Sequence, residues 1–313
     1  MPRQGIAGES KPVIVEGEGR RRVRRIRELV IEGGLLVAAL MSVATTVMIL
    51  AVLVVESLGF FETVSLYDFL TDTLWTPLFD DPHYGILPLL AGTIVTSMVG
   101  LLVAIPIGTV SAMYLSEFAS PRVREIIKPV LELLGAVPTV VYGYFALLVV
   151  TPALQWVWPD LPGFNMLGPG IVIGIMILPL VVSLSEDAMR AVPMMLREGS
   201  YAMGATHLET AWRVVVPAAT SGIVSAYVLG ISRAVGETMV VAIAAGQNPN
   251  LTWNPMEPAA TITAYIVQVA LGDLPHGSIG YRSIFAAGLV LAMMTFAFNI
   301  LGHVMRKRFR EVY

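Results

Sequence analysis

The chain has 313 residues, of which 56% are hydrophobic and only 14% are charged. Soluble globular proteins average about 25% charged residues, so this composition predicts a protein that crosses a membrane several times. There is no cysteine, which excludes disulfides, thiolate metal sites and cysteine nucleophiles. The four histidines, His83, His207, His276 and His303, are scattered singly along the chain, so we expect no metal site.

Long apolar runs predict an all-α fold with six transmembrane helices. A hydrocarbon core of about 30 Å needs about 20 apolar residues in a helix. The predicted spans are residues 33–55, 86–115, 131–154, 168–184, 218–246 and 283–305. The first run is longer than the roughly 7 to 15 residues of a signal-peptide core, so we expect it to remain as a helix. The apolar stretch 259–271 is too short to span and is expected to be external or re-entrant.

The charge distribution predicts the orientation of the chain. Eighteen of the twenty Lys and Arg residues fall in the tail 1–32, in the two loops after spans two and four, and in the tail 306–313. The positive-inside rule therefore places both termini in the cytoplasm. The run RRRVRRIR, Arg20 to Arg27, directly precedes an apolar segment, so we expect it to contact anionic lipid rather than nucleic acid.

The predicted outer loop 56–85 contains six acidic residues and no Lys or Arg. Its aromatic side chains Phe60, Phe61, Trp75 and Phe79 are expected to pack at the membrane interface.

Two opposite charges lie inside the fifth predicted span. Arg233 and Glu237 are four residues apart, so in a continuous helix their side chains can meet on one face. An ionisable group at mid-bilayer costs about 3 kcal/mol on insertion scales, so it usually faces protein or a water-filled path. Two interpretations stay open: a neutralised structural ion pair, or an Arg233 that lines a path for an anion with Glu237 tuning it.

Polar residues also interrupt the third predicted span. Thr139, Tyr142 and Tyr144 lie in the run GAVPTVVYGYF. They either line a path or form hydrogen bonds to neighbouring helices.

The loop 190–217 carries the most specific motif. In the segment EGSYAMGATHLETAWRVVVP, Gly204 follows Glu198 by six positions, and Pro217 follows Gly204 by thirteen. The segment resembles the EAA loop of ABC-transporter permease subunits, with Gly199 and Ser200 in place of the two alanines. The resemblance implies a short helix, a turn at Gly204 and a second helix, which together dock on an ATP-hydrolysing subunit. Glycine permits such a turn, and we expect Pro217 in the first turn of the next helix.

The chain has no nucleotide-binding motif of its own. No G-x-x-x-x-G-K-[ST] sequence occurs, and none of the three lysines follows a glycine. We therefore expect no cofactor in this chain and no catalytic residue, and we expect ATP and Mg²⁺ to bind in a partner ATPase.

Two longer segments extend the resemblance to a specific family. The segments that begin at Pro88 and at Ile231 resemble PstC-type permease subunits of bacterial phosphate ABC transporters. The resemblance implies a type I importer permease bundle with a cytoplasmic coupling helix, in a bacterial or archaeal plasma (inner) membrane. It implies a PstA-type second permease, two PstB-type ATP-binding subunits and an extracytoplasmic PstS-type phosphate-binding protein as partners. Arg233 and Glu237 fall on the family's R-x-x-x-E, which is tied to phosphate movement there.

Other functions stay open at this point. A single arginine does not select among tetrahedral anions, so the substrate is also compatible with sulfate or molybdate. A membrane sensor or scaffold that recruits a regulator through the loop 190–217 is an alternative of another class. An intramembrane enzyme is disfavoured, because the sequence shows no nucleophile and base pair and no set of metal ligands.

Overall fold

A computed structural model describes residues 18–77, 79 and 81–308 of the chain. The predicted tails therefore lie partly outside the described residues. Within these ranges the structure is helical, with one antiparallel bridge, Trp75 to Tyr84, in place of any strand. The prediction of an all-α fold is confirmed. The helices are α1 (Glu18–Phe61), α2 (Leu66–Thr71), α3 (Leu87–Phe118), α4 (Pro121–Ala136), α5 (Thr139–Gln155), α6 (Leu167–Arg190), α7 (Met194–Ala202), α8 (His207–Ala218), α9 (Thr220–Val235), α10 (Met239–Ala244), α11 (Ile262–Gly272) and α12 (Ile279–Arg308).

Four of the described helices, α1, α3, α6 and α12, are long and apolar enough to cross a membrane, and the number rises to six if two bent pairs each count as one span. By internal contacts the chain divides into residues 1–52, whose described part is the first portion of α1, and residues 53–313, which contain the other helices.

Two predicted spans differ from the structure because the helices bend or break. The pair α4 and α5 bends by 88° where residues 131–154 were predicted as one span. The bend lies at Val137, whose backbone is extended, and at Pro138, which has no N–H for a helical hydrogen bond. The predicted span 218–246 is divided as well: a 72° bend separates α8 from α9, and residues 236–238 separate α9 from α10.

Helices α3 and α6 form the centre of the second unit. Their glycines allow the two backbones to approach closely, since a Cβ atom on Gly174 would lie 2.7 Å from the carbonyl oxygen of Gly100. The GxxxG motif at Gly170 and Gly174 therefore packs against α3. Side chains from α5 and α10, including Tyr142 and Val241, complete this part of the core.

A second cluster at the opposite end from the α7 and α8 hairpin is built from aromatic side chains. Phe60 and Trp75 are buried in it, and Phe69 makes edge contacts with both. Phe60 and Trp75 are therefore core residues of this cluster rather than side chains exposed on the surface. Phe79 is 69% exposed, as an interfacial side chain would be.

The short helix α11 belongs to the bundle. Ile262, Ala264 and Tyr265 are buried, and the Tyr265 hydroxyl lies 2.7 Å from the Ser283 hydroxyl on α12. Helix α11 is too short to cross a membrane, in agreement with the expectation from the sequence.

Candidate functional site

Arg233 lies in the last turn of α9, next to a break in the helix. Its side chain is exposed, and it forms no hydrogen bond or ion pair with any residue that the structure describes. A guanidinium group always carries its charge in a protein. At membrane depth an unpaired charge of this kind requires a partner or a water-filled space beyond the described residues.

Glu237 does not pair with Arg233, although both residues are described. The helix ends at Val235 and resumes at Met239, so the continuous turn that an i, i+4 pair requires is missing. The Glu237 carboxylate instead accepts hydrogen bonds from the backbone N–H groups of Met239 (3.1 Å) and Val240 (3.3 Å). It thereby caps the N-terminus of α10. The ion-pair interpretation is wrong for this conformation, because a buried cap has replaced the pair.

The three polar side chains predicted on span three lie on α5. The Tyr142 side chain is buried, and its hydroxyl donates a hydrogen bond to the Leu134 carbonyl (2.7 Å). Thr139 is half-buried in the first turn of α5, and Tyr144 is exposed. The Tyr142 hydroxyl is therefore engaged within its own chain.

The motif in loop 190–217 forms a helical hairpin of α7 and α8. Gly204 follows α7 with φ of +85°, a left-handed conformation that residues with a side chain resist. The Ser200 hydroxyl on α7 lies 2.8 Å from the Thr210 hydroxyl on α8, and this contact holds the two helices together. Pro217 lies in the last turn of α8, so the expectation that it lies in the first turn of the next helix is wrong.

The hairpin presents an apolar surface. Glu198 and Gly199 are exposed on α7, and Glu198 has no partner within the described part of the chain. Large apolar side chains on the hairpin are more than half exposed: Met194, Met195, Met203, Leu208 and Trp212. Exposed apolar surface of this extent marks a contact with another protein or with lipid.

A buried arginine next to the motif anchors the hairpin, and the sequence analysis missed it. Arg197 is 8% exposed and forms a two-point contact with Glu117 at the end of α3, through Nε (3.0 Å) and Nη2 (2.9 Å). It also donates to the carbonyl groups of Val192 and Met189. Such a fork fixes both distance and orientation, so it attaches α7 to the end of α3. The partners are 80 residues apart, which left no local signal.

A second missed feature is a buried carboxylate at the same end of α6. Glu186 is completely buried, and Arg124 and Lys128 of α4 both form ion pairs with it, Arg124 at 2.8 Å. Arg190 lies 3.8 Å away. Because a buried carboxylate must be compensated, this cluster attaches the bent helix α4 to α6.

Comparisons with known proteins agree on one family. Residues 104–311 match the family model for the binding-protein-dependent transport system inner membrane component. The probable ABC transporter permease protein YqgH of Bacillus subtilis is 38% identical, over 84% of this chain and 85% of that protein. The phosphate transport system permease protein PstC of Xylella fastidiosa (strain 9a5c) is 32% identical, over 77% of this chain and 78% of that protein.

Solved structures show the same fold at low identity. A chain of the bacterial alginate ABC transporter, in complex with an alginate pentasaccharide-bound periplasmic protein, is 18% identical and superimposes with a TM-score of 0.62. The match covers 91% of this chain and 98% of that one. A chain of an inward-facing MetNI methionine ABC transporter is 17% identical, with a TM-score of 0.54 over 72% of this chain and 95% of that one.

Proposed function

Because the chain belongs to the family of binding-protein-dependent transport system inner membrane components, we propose that it forms half of the membrane pathway of an ATP-driven importer for inorganic phosphate. Relatives that cover most of the chain, from Xylella, Mesorhizobium and Haemophilus, carry the name phosphate transport system permease protein PstC. Their identity of 30% to 32% supports phosphate as the substrate of this chain.

One observation supports an anion pathway: Arg233 is charged, exposed and unpaired among the described residues, while the nearest acidic side chain in sequence, Glu237, caps a helix. An anion in the pathway would supply the missing charge. A guanidinium group binds tetrahedral oxyanions through paired N–H donors, which matches phosphate geometry. Tyr142 and Thr139, the hydroxyl-bearing residues predicted for the pathway, lie one helical turn apart on α5.

The proposed assembly contains a PstA-type second permease, two PstB-type ATP-binding subunits and an extracytoplasmic PstS-type phosphate-binding protein. The exposed apolar surface of the α7 and α8 hairpin supports docking on an ATP-binding subunit. In this assignment the hairpin and both chain termini lie on the cytoplasmic side of the bilayer, as the positive-inside rule predicts.

The mechanism follows from the contacts of the hairpin. Closure of the ATP-binding subunits moves α7, and the fork between Arg197 and Glu117 transmits this movement to α3. The Glu186 cluster makes α4 move with α6. The break at residues 236–238 then acts as the place where α9 and Arg233 change their exposure between the two membrane faces. Hydrolysis of Mg²⁺-bound ATP in the partner subunits would supply the energy, and this chain positions the anion.

Reconstitution of the full complex in proteoliposomes tests this function. When the binding protein is present, phosphate should raise the rate of ATP hydrolysis, whereas sulfate and molybdate at equal concentration should not. Equal stimulation by molybdate or sulfate would identify another oxyanion as the substrate. Copurification of a kinase, with no ATP-binding subunit and no second permease, would instead favour the sensor hypothesis.

A further inference from the structure

A polar cavity between α9 and α12 is not used by the proposed pathway. It has a volume of about 600 Å³ and lies between the first turns of α9 and the basic end of α12. Its lining consists of hydroxyl-bearing and cationic side chains around one glycine: Ser221, Gly222, Ser225, His303, Arg306 and Lys307.

Helical spacing brings these groups together. Ser221 and Ser225 are four residues apart and share one face of α9, while Arg306 and Lys307 lie three and four residues after His303 on one face of α12. One turn further into the bundle, Gly302 allows the two helices to touch: a Cβ atom there would lie 2.5 Å from the Val228 side chain. The cavity is therefore held in shape by a tight helix contact at its inner end.

The cavity carries an excess of positive charge. Arg306 and Lys307 are exposed, and neither forms an ion pair with a residue in the ranges that the structure describes. The Ser225 hydroxyl donates to the Ser221 carbonyl (2.8 Å), which leaves its oxygen available as an acceptor, and the Ser221 hydroxyl has no partner in the described chain. Two cations and a free hydroxyl donor suit a phosphate group.

The position of the cavity favours a lipid as the source of that group. Arg306 directly follows the apolar part of α12, where Ile300, Leu301 and Val304 are about half exposed. An acyl chain can lie on these side chains while its headgroup reaches the cations, and basic pockets between membrane helices bind anionic headgroups in this way. We propose that this cavity binds the phosphate group of an anionic phospholipid of the cytoplasmic leaflet, an assignment that uses only the membrane orientation of the proposed function.

Native mass spectrometry of the whole complex, from nanodiscs with equal amounts of phosphatidylglycerol and phosphatidylcholine, tests the proposal. The complex should retain phosphatidylglycerol selectively. The double variant Arg306→Gln, Lys307→Gln should weaken this retention about thirtyfold, from roughly fivefold per basic side chain near an anionic surface. The control Arg122→Gln, Arg308→Gln removes the same charge from exposed positions that do not line the cavity and should retain the lipid. Ser221→Ala, which changes no charge and removes the free hydroxyl donor, should weaken retention about fivefold.

Three results would overturn the proposal. Retention that is unchanged in the Arg306 and Lys307 double variant would remove these cations from any lipid site. An equal loss in the control variant Arg122→Gln, Arg308→Gln would show a general surface effect instead of a built site. Displacement of phosphatidylglycerol by inorganic phosphate alone would make free phosphate the ligand. The readout involves no transport, so a failure here leaves phosphate import standing, and a failure of phosphate import leaves lipid retention to be measured.

Discussion

Two charged regions of the chain follow opposite rules. At the basic end of α6, the buried Glu186 has Arg124, Lys128 and Arg190 around it, and Arg197 is held by both oxygens of Glu117. At the break between α9 and α10, Arg233 has no partner among the described residues.

The difference separates structure from function within one membrane protein. Charges that compensate each other inside the chain stabilise the attachment of helices, and they leave nothing for a ligand. A charge left without compensation at membrane depth is costly, so it is expected only where a ligand or another subunit supplies the opposite charge. The predictions below test this contrast, from the largest expected effect to the smallest.

Arg233→Gln should reduce phosphate uptake by the reconstituted complex about 100-fold or more, because a charge-assisted contact to the anion is lost. Assembly should be unchanged, since Arg233 forms no hydrogen bond or ion pair with a described residue of its own chain. The measurement is uptake of labelled phosphate into proteoliposomes. Arg282→Gln serves as the matched control, since Arg282 is 42% exposed and lies 3.9 Å from Glu56. Normal uptake by the Arg233 variant would remove this residue from the pathway.

Glu186→Gln should destabilise the chain by about 3–5 kcal/mol, because Arg124 and Lys128 would be left beside a neutral group in a buried site. The neighbouring Asp187, whose side chain is 59% exposed, is a control: Asp187→Asn should cost about 0–1 kcal/mol. Thermal unfolding of the purified complex measures both. Equal losses in the two variants would mean that burial does not distinguish this cluster.

Gly204→Val should uncouple ATP hydrolysis from uptake, because a β-branched residue at φ of +85° costs about 1–3 kcal/mol and distorts the turn of the hairpin. Gly199 is the control, because a Cβ atom would fit there as it would at Gly204, whereas Gly199 has the ordinary backbone of α7. Gly199→Ala should therefore leave coupling intact. The ratio of ATP hydrolysed to phosphate transported is the measurement, and an unchanged ratio in Gly204→Val would contradict the role of the turn.

Glu237→Ala should destabilise the chain by about 1 kcal/mol through loss of the α10 cap, whereas Glu237→Gln, which keeps an acceptor oxygen, should lose less than half of that. A paired carboxylate would behave differently, since removal of its charge alone would then cost as much as truncation. Thermal unfolding of the two variants side by side distinguishes a cap from an ion pair.

The smallest effect concerns pH at the outer loop. A hydrogen bond from His83 to Asp72 (2.8 Å) raises the pKa of the imidazole above its usual value. The hydrogen bond should stabilise the loop fully below pH 6.5, and this stabilisation should be lost as pH rises through the raised pKa of His83. Hydrogen exchange of residues 72–85 should thus become faster across that window, beyond the intrinsic increase of exchange with pH. The variant His83→Asn should show no such step, and a step that persists would assign it to another group.

The sequence was sufficient for features with local or periodic signals. Apolar run length predicted the helical class, and the resemblance to the EAA loop implied the turn at Gly204, which glycine permits. The order of basic loops predicted the orientation used in the proposed function.

Other features depend on distant contacts or on a single helix break. The ion-pair partners of Glu186 on α4, Arg124 and Lys128, lie about 60 positions earlier in the chain. No helical periodicity could therefore pair them with Glu186. The break after α9 had a weak signal, since Gly236 is a common helix terminator. The four-residue spacing of Arg233 and Glu237 suggested an ion pair instead. That inference assumes an unbroken helix, which the structure does not have.

The absence of cysteine allows a direct test of the charge at position 233. In a complex whose other subunits also lack accessible cysteine, the variant Arg233→Cys should be inactive and should react with water-soluble methanethiosulfonates. Attachment of an aminoethyl group, which restores a positive charge, should recover part of the phosphate uptake, and attachment of an anionic sulfonatoethyl group should not. A cysteine that fails to react from water, or uptake that is unaffected by the sign of the attached charge, would contradict the account.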